Sequence, residues 1–447
     1  MEKTKYTNKK IFLMSLPIFV EKTLQLLVGN IDQIMLSGND NAVSAIINSN
    51  SIISLAIIVI TMFSAATIII LTHKIGANEQ EKIPSIFSAG FVITETISIV
   101  IAALLILFGK NILIILNAPA EILEEAYTYL WIVAISLVIQ GYYLSVAALL
   151  QSYSDFRNVM ISAVVMNLTN IVGNVILING FLGFPKLGVA GAAISTLFSK
   201  VVGAVLITFF IKKSVPIRIG PKSFFSCSKN SIVSIIKLAI PTGGETLSYN
   251  TAQIVILSFV NLFGTSVITT QGYCNIIANF SYLYSVAIAQ ATQIVVGYLY
   301  GEGNVKEIGR RIHATTIICF VVSVGLSVLF WIFADKLLLI FKATPEIIEL
   351  GTKVLFIEIF LEMGRSVNIV MSRCLVTIDD IYFPVVLGII FQWLAGAGLS
   401  YVLGIVFNLG LVGIVIARMC DEVLRGIIFE IRFNCTTLKR IQKRVAK

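Results

Sequence analysis

AIINSNSIISLAIIVITMFSAATIIILT (45–72) runs into HKIGANEQEKI (73–83), and this pair of stretches decides the fold. The first holds 28 residues without one Asp, Glu, Lys or Arg. A helix rises about 1.5 Å per residue, so about 20 such residues already cross a hydrocarbon core of about 30 Å. The second is short, polar and charged, as a loop returning to water must be. Working outward in both directions, the same alternation recurs. Twelve apolar spans fall at about 11–36, 45–72, 85–108, 126–150, 159–180, 187–211, 232–259, 268–299, 312–333, 350–372, 382–405 and 409–431.

Composition agrees. Of 447 residues, 57% are hydrophobic and 13% charged, and the mean hydropathy is +0.93. Soluble domains cannot hide that much apolar surface, which excludes a soluble enzyme, a disordered chain, a fibre and a disulfide scaffold. The chain reads as an all-α integral membrane protein. Its first span follows four lysines like a signal peptide, yet it carries Pro17, Glu21 and Asp32 and no small-residue cleavage site, so it reads as a retained helix.

The net charge of +9 raises nucleic acid as a partner, and the placement of the charges decides against it. With the N-terminus inside, the cytoplasmic segments hold 23 Lys and Arg, Arg157 and Arg373 among them, and the outer loops hold Lys110, Lys186, Lys336 and Lys342. Basic excess on one side marks the cytoplasmic face, so both termini are expected in the cytoplasm of a multi-pass cell-membrane protein. Membrane lipid and a small organic substrate are the expected partners, with no obligate protein partner. The six cysteines are 15 or more residues apart, which speaks against disulfides and thiolate metal sites. His73 and His313 sit in no zinc spacing, and GEGNVKEIG (301–309) lacks the Lys-Ser/Thr of a P-loop. No metal, cofactor or direct use of ATP is expected.

The chain is also a duplication. Pro17 and Glu21 fall on Pro241 and Glu245 at an offset of 224; Gly76, Ile83, Glu121, Ile122 and Asp155 meet Gly301, Ile308, Glu346, Ile347 and Asp380 at 225; LGVAGAAI (187–194) matches LGLVGIVI (409–416) at 222. Repeats of six helices share one topology, related by an axis along the membrane normal. The expected organisation is a six-helix lobe at 1–211, a cytoplasmic linker at 212–231 with Pro216, Gly220 and Pro221, a second six-helix lobe at 232–432 and a basic tail at 433–447. Two such bundles facing one another across a central cleft form an alternating-access architecture.

These residues resemble the multidrug and toxic compound extrusion (MATE) transporters over nearly the whole length, in a bacterial branch. The resemblance rests on LPIFVEKTLQLLVGNIDQIMLSG (16–38), GANEQEKI (76–83) and GEGNVKEI (301–308), NLTNIVGNVILINGFLGFPKLGVAGAAIST (167–196), IPTGGETL (240–247), ATQIVVGYLYGEG (291–303), EMGRSVN (362–368) and GLVGIVIARMCDEVLRG (410–426). It implies antiport coupled to Na+ or H+, with export of organic, often cationic, compounds through two lobes arranged as a V.

An ionisable group inside a span costs about 2.5–3.5 kcal/mol on insertion scales and so needs a partner, a cavity or a task. Glu21, Gln25 and Asp32 share a face of the first span. Asp32 occupies the family's first-helix aspartate position, implicated there in cation coupling; a helix-end aspartate near water is the other reading. Asn170 and Asn174 keep the spacing of an Asn and Asp pair in the family's archaeal-type branch, with an amide where that branch has an acid. With Asn167 they form a stripe suited to Na+, to substrate, or to interhelical amide bonding. Glu245 resembles the family's seventh-helix glutamate. Asn275, Asn279, Tyr282, Gln290 and Gln293 form a stripe lining a cleft or a helix contact. Opposite charges three and four residues apart on one helix face each other, so Glu362, Arg365, Arg418, Asp421, Glu422 and Arg425 read as structural ion pairs. Glu358 is the surplus carboxylate and a second candidate cation site. Two other functions compete with export: a lipid-linked oligosaccharide flippase, which needs a cationic cleft where helices one, seven and eight carry three acids and only Lys22, and an intramembrane enzyme, for which no scissile-bond site is evident. The expectation is a transporter, not an enzyme.

Overall fold

A computed structural model describes residues 6–28, 31–36, 39–216, 224 and 226–445. Within them the chain is nearly all helix. The long helices are α1 (Asn8–Val28), α2 (Asp40–Gly76), α3 (Ile83–Ile115), α4 (Leu123–Ser152), α5 (Phe156–Asn179), α6 (Gly188–Ser214), α7 (Lys229–Val260), α8 (Thr265–Gly301), α9 (Val305–Ile332), α10 (Pro345–Thr377), α11 (Tyr382–Val406) and α12 (Gly410–Arg432). A short helix, Ile31–Met35, follows α1. Eleven of the long helices overlie expected spans, some extended where side chains in the loops cap them, whereas the first span, 11–36, is divided between α1, which ends at Val28, and the short helix Ile31–Met35. Asn39, Asp155 and Asn304 accept from backbone N–H groups in the first turns of α2, α5 and α9. Eight of the twelve are long and apolar enough to cross a membrane by length and composition. The charged helices α10 and α12 are not among the eight. Leu107, 72% exposed on α3, faces outward where hydrocarbon would meet it.

Backbone geometry repeats with the sequence. Helices α2 and α8 end at Gly76 and Gly301, and α4 and α10 end at Ser152 and Thr377, in both cases 225 apart. Left-handed residues recur at that offset: Asn78 (φ 58) with Gly303 (72), Asn117 (59) with Lys342 (56), and Ser154 (64) with Asp379 (62). An L-residue in this region costs about 1–2 kcal/mol, so Ser154 and Lys342 hold an inherited turn against their own preference. Packing repeats too. Helix α4 packs on α2, α3 and α6; its counterpart α10 packs on α8, α9 and α12.

The chain divides into two compact units: an N-terminal unit, Val20–Ile240, and a C-terminal unit, Met1–Phe19 with Pro241–Lys447. Both crossings therefore fall inside helices that carry a proline, Pro17 in α1 and Pro241 in α7, rather than in the linker. Of the expected 212–231 linker, Lys212–Ser214 belong to α6 and Lys229–Ser231 to α7, while Gly220 and Pro221 lie outside the described residues. Within the expected tail, a π turn, Phe433–Thr437, leads into a helix, Leu438–Val445, whose Leu438 lies beside Gly309 of α9. Arg373 was expected in a cytoplasmic loop. It lies inside α10, because that helix runs on to Thr377, and it donates to Gln293 Oε1 at 3.2 Å. Asp380 is gripped at the end of α10 by Arg432 Nε at 3.0 Å and by Thr437 Oγ1 at 2.5 Å, with Arg440 3.7 Å away. Burial pushes its carboxyl up, but the bonds from Arg432 and Thr437 and the charges of Arg432 and Arg440 outweigh this and hold it below its usual value.

Candidate functional site

Two polar clusters stand out, one inside each unit. In the N-terminal unit, Asp32 sits on the short helix after α1. Its Oδ1 accepts a short bond from Asn174 Nδ2, and its Oδ2 accepts from Tyr129 OH at 3.2 Å. Asn174 Nδ2 also reaches Asn170 Oδ1 at 3.5 Å, and Asn170 Nδ2 donates to Thr196 Oγ1 at 3.2 Å. Tyr129 lies within bonding reach of Asn50 and Thr196 as well. Helices α4 and α5 thus aim a phenol and an amide at one carboxylate, and Asn170 of α5 and Thr196 of α6 extend the cluster behind them. Asn174 is fully buried, yet its Oδ1 has no hydrogen-bond partner, and neither has Asn167 Nδ2. An orphaned buried acceptor costs about 1–3 kcal/mol, so this amide oxygen beside a carboxylate is a place where a hard cation gains oxygen ligands.

Glu21 is not brought to Asp32. It lies on α1, 8% exposed, accepting from Gln25 Nε2 at 3.2 Å, while Lys22 Nζ donates to Gln25 Oε1 at 3.2 Å. Residues 29 and 30, which would carry the expected common face from Gln25 to Asp32, lie outside the described residues.

In the C-terminal unit, Glu245 of α7 accepts from Gln392 Nε2 at 2.6 Å. Gln392 opens a π turn, Gln392–Gly398, in α11, and the wider turn carries its side chain to α7. Gly388 keeps room for Glu245, since a Cβ there would stand 3.1 Å from Oε1. The expected ion pairs of α10 and α12 form one buried network. Arg425 holds Asp421 with two bonds, Nε to Oδ1 at 2.8 Å and Nη2 to Oδ2 at 2.6 Å, and reaches Glu422 at 3.5 Å. Arg365 binds Glu362 at 2.5 Å and lies 3.6 Å from Glu422, which accepts from Asn368 Nδ2 at 2.6 Å. Glu358, 3% exposed, meets Arg365 and Arg418 only at 3.9 Å, and its Oε2 has no hydrogen-bond partner. It remains the loosest carboxylate of the four. Tyr282 places its ring 5.6 Å from the Arg365 guanidinium, and Gln293 accepts from Arg373; Asn275 and Asn279 are half-buried farther along α8. Among the described residues no group of His, Cys, Asp and Glu could hold a metal ion.

Sequence reading missed four participants. Gln392 was a lone amide in an apolar span. Tyr129 read as one more aromatic. Lys200, in the middle of α6, was passed over inside an apolar run; its Nζ donates to Ser136 Oγ at 3.1 Å. Glu95 of α3 has an Oε2 with no hydrogen-bond partner, at a point where α4 narrows to Gly141. For Lys200 and Glu95 the available signal was a charged residue inside a membrane span.

The MatE family model matches twice, over residues 17–176 and 241–402, starting at each of the duplicated prolines. The chain is 31% identical to "Uncharacterized transporter YisQ" of Bacillus subtilis, over 95% of this chain and 93% of that protein. It is 24% identical to "Probable multidrug resistance protein NorM" of Thermotoga maritima, over 94% and 90%. A crystal structure of a MATE protein in the bent conformation superposes with a TM-score of 0.90 at 21% identity, covering 98% of this chain and 97% of that one, which shows the same fold.

Proposed function

Because the chain belongs to the multidrug and toxic compound extrusion family, we propose that it is a secondary antiporter, exporting organic and foremost cationic compounds across the cytoplasmic membrane against an inward flow of Na+ or H+. The observation that carries this reading is the Asp32 cluster, a carboxylate met by an amide whose own oxygen is left without a partner. A cation there takes oxygen ligands from Asp32, Asn174 and Asn170. Its arrival cancels the carboxylate charge and favours one conformation of the transporter; substrate favours the other, and the two affinities are linked reciprocally. Glu245 and Glu358 are the corresponding acids of the C-terminal unit. Both termini lie in the cytoplasm under this reading.

Dye transport by purified protein in vesicles, with Na+ and pH gradients imposed separately, tests it. One of the gradients should drive dye at least about tenfold above the ungraded rate. Asp32→Asn, which keeps shape and removes charge, should return the rate to background with insertion unchanged, and Glu245→Gln should lower it by an equal or smaller factor. Dye movement indifferent to both gradients would sink the reading.

A further inference from the structure

One face of α4 carries a ladder. Tyr129, Ser136 and Tyr143 are spaced seven residues apart, which returns each to nearly the same side of the helix, about 10 Å farther along. All three are buried, at 2%, 0% and 4% exposure. Two of them meet charged groups of the N-terminal unit: Tyr129 donates to Asp32 and Ser136 accepts from Lys200 Nζ, while Tyr143 OH donates to Val159 O at 3.4 Å. The unit therefore contains a polar column in which an acid is followed by a lysine. The mechanism above uses only its first rung.

Lys200 is the unexplained member. It lies about 18 Å from the start of α6 and about 21 Å from its end, and among the described residues its ammonium makes no ion pair. A hydroxyl is a poor partner for a cation at that depth, and the Asp32 cluster begins one turn away along α6, at Thr196. Lys200 follows Thr196 by four residues on α6, so the two share a face about 6 Å apart along the axis, and Thr196 belongs to the Asp32 cluster. Helical side chains lean back toward the N-terminus, which tilts the Lys200 stem toward Thr196. Four flexible carbons and three donors let its ammonium exchange partners without backbone movement. The other titratable groups on the elements around it are Glu21 on α1, Tyr129, Tyr142 and Tyr143 on α4, and Glu95 of α3 beside Gly141 of α4; α2 brings the amide Asn50 and α5 the amides Asn170 and Asn174.

We propose that Lys200 is the built-in counter-ion of Asp32: its ammonium rests on Ser136 while the coupling cation occupies Asp32, and moves onto the Asp32 carboxylate when that cation leaves. The proposal rests on Asp32 being the coupling site. It answers a problem that site creates, since a departing cation would leave a half-buried carboxylate without a counter-charge. With Lys200 in place, the carboxylate is compensated in both states, and cation release becomes an exchange between two positive charges. Lys200 acts here as a positioning residue that sets how easily the cation leaves.

Exchange predicts two variants of opposite sign, which damage to folding cannot mimic. Lys200→Met removes the competitor. The cation concentration for half-maximal dye transport should fall about tenfold, and the maximal rate should fall by at least as much, because the cation now leaves slowly. Ser136→Ala removes the resting partner and sends the ammonium toward Asp32, so that half-maximal concentration should rise, about fivefold. Lys200→Arg, charged but shaped as a planar fork, should restore cation release in part. Shifts of the same sign in the methionine and alanine variants, or both within about twofold of the parent while Asp32→Asn is inactive, would overturn the counter-ion and leave the coupling site standing. Loss of transport in Lys200→Met confined to carboxylate-bearing compounds, with cation dependence unchanged, would also overturn it, assigning Lys200 to the substrate. Failure of the parent protein to respond to either gradient would instead overturn the antiport reading beneath it.

Discussion

Arg425 grips Asp421 through two parallel hydrogen bonds and leans on Glu422, all three of them nearly closed to solvent. Removing the guanidinium leaves two carboxylates in a low dielectric with one fewer cation among them. Breaking such a buried pair costs about 3–5 kcal/mol, so Arg425→Ala should sharply reduce the amount of inserted protein and its melting temperature in detergent. Arg425→Lys should fall between, since a point charge cannot hold both oxygens. A variant as stable as the parent would show that Arg365 and Arg418 compensate both acids. This contact was legible in the sequence because its partners sit four residues apart on one helix, where geometry is fixed by the helix itself. The bond from Gln392 to Glu245 was not. It joins residues 147 apart through a π turn that no periodicity announces. Asp32 was found as an acid in a span, but its partners Asn174 and Tyr129 come from two other helices, and only packing could pair them with it.

At the scale of elements, α10 and α12 approach until their backbones touch. A Cβ on Gly364 would stand 2.4 Å from Val423 N, and one on Gly426 would stand 2.9 Å from Gly364 O. The obstacle is backbone on both sides, so no rotamer relieves it and the helices must part. Overpacking of this kind costs about 1–3 kcal/mol, and parting the helices would also lengthen the Arg365 contact to Glu422. Gly364→Ala should therefore lower the melting temperature, whereas Gly325→Ala on α9, where nothing lies within 4 Å, should leave it unchanged or raise it, with alanine worth about 0.5–1 kcal/mol over glycine in a helix. Equal melting of the two variants would mean that the crossing is looser than drawn. EMGRSVN and VLRG in these helices were read for their charges. Their glycines carry the packing that brings those charges together, and a glycine's reason for being in a helix is invisible until its neighbour is known. The twelve spans themselves were legible because hydrocarbon thickness imposes their length, whereas the helix ends ran beyond the apolar stretches into polar turns capped by Asn39, Asp155 and Asn304.

For the whole molecule, the duplication was readable because turns outlast side chains: Asn78 and Gly303, or Ser154 and Asp379, keep one backbone conformation with different residues. The crossings inside α1 and α7 were not readable, since a helix that changes unit at Val20 or Pro241 shows no break in hydropathy there. Two six-helix repeats in one orientation make a firm prediction about sidedness. Placing Arg373 inside α10 leaves 22 of the 23 basic residues on the segments assigned to the cytoplasm against four on the others, so the asymmetry that orients the chain survives the correction. In a background without the six native cysteines, Glu121→Cys before α4 and Phe407→Cys before α12 occupy equivalent ends of the two repeats, and both are exposed. Both should react with an impermeant thiol reagent added outside intact cells. Arg157→Cys at the start of α5 and Lys306→Cys at the start of α9, also exposed, should react only after permeabilisation. If all four sites reverse, the basic segments face outward and the direction proposed for export reverses with them. If Glu121→Cys and Phe407→Cys label from opposite sides, an odd number of the helices between them fails to cross, and the two units are not parallel six-helix repeats.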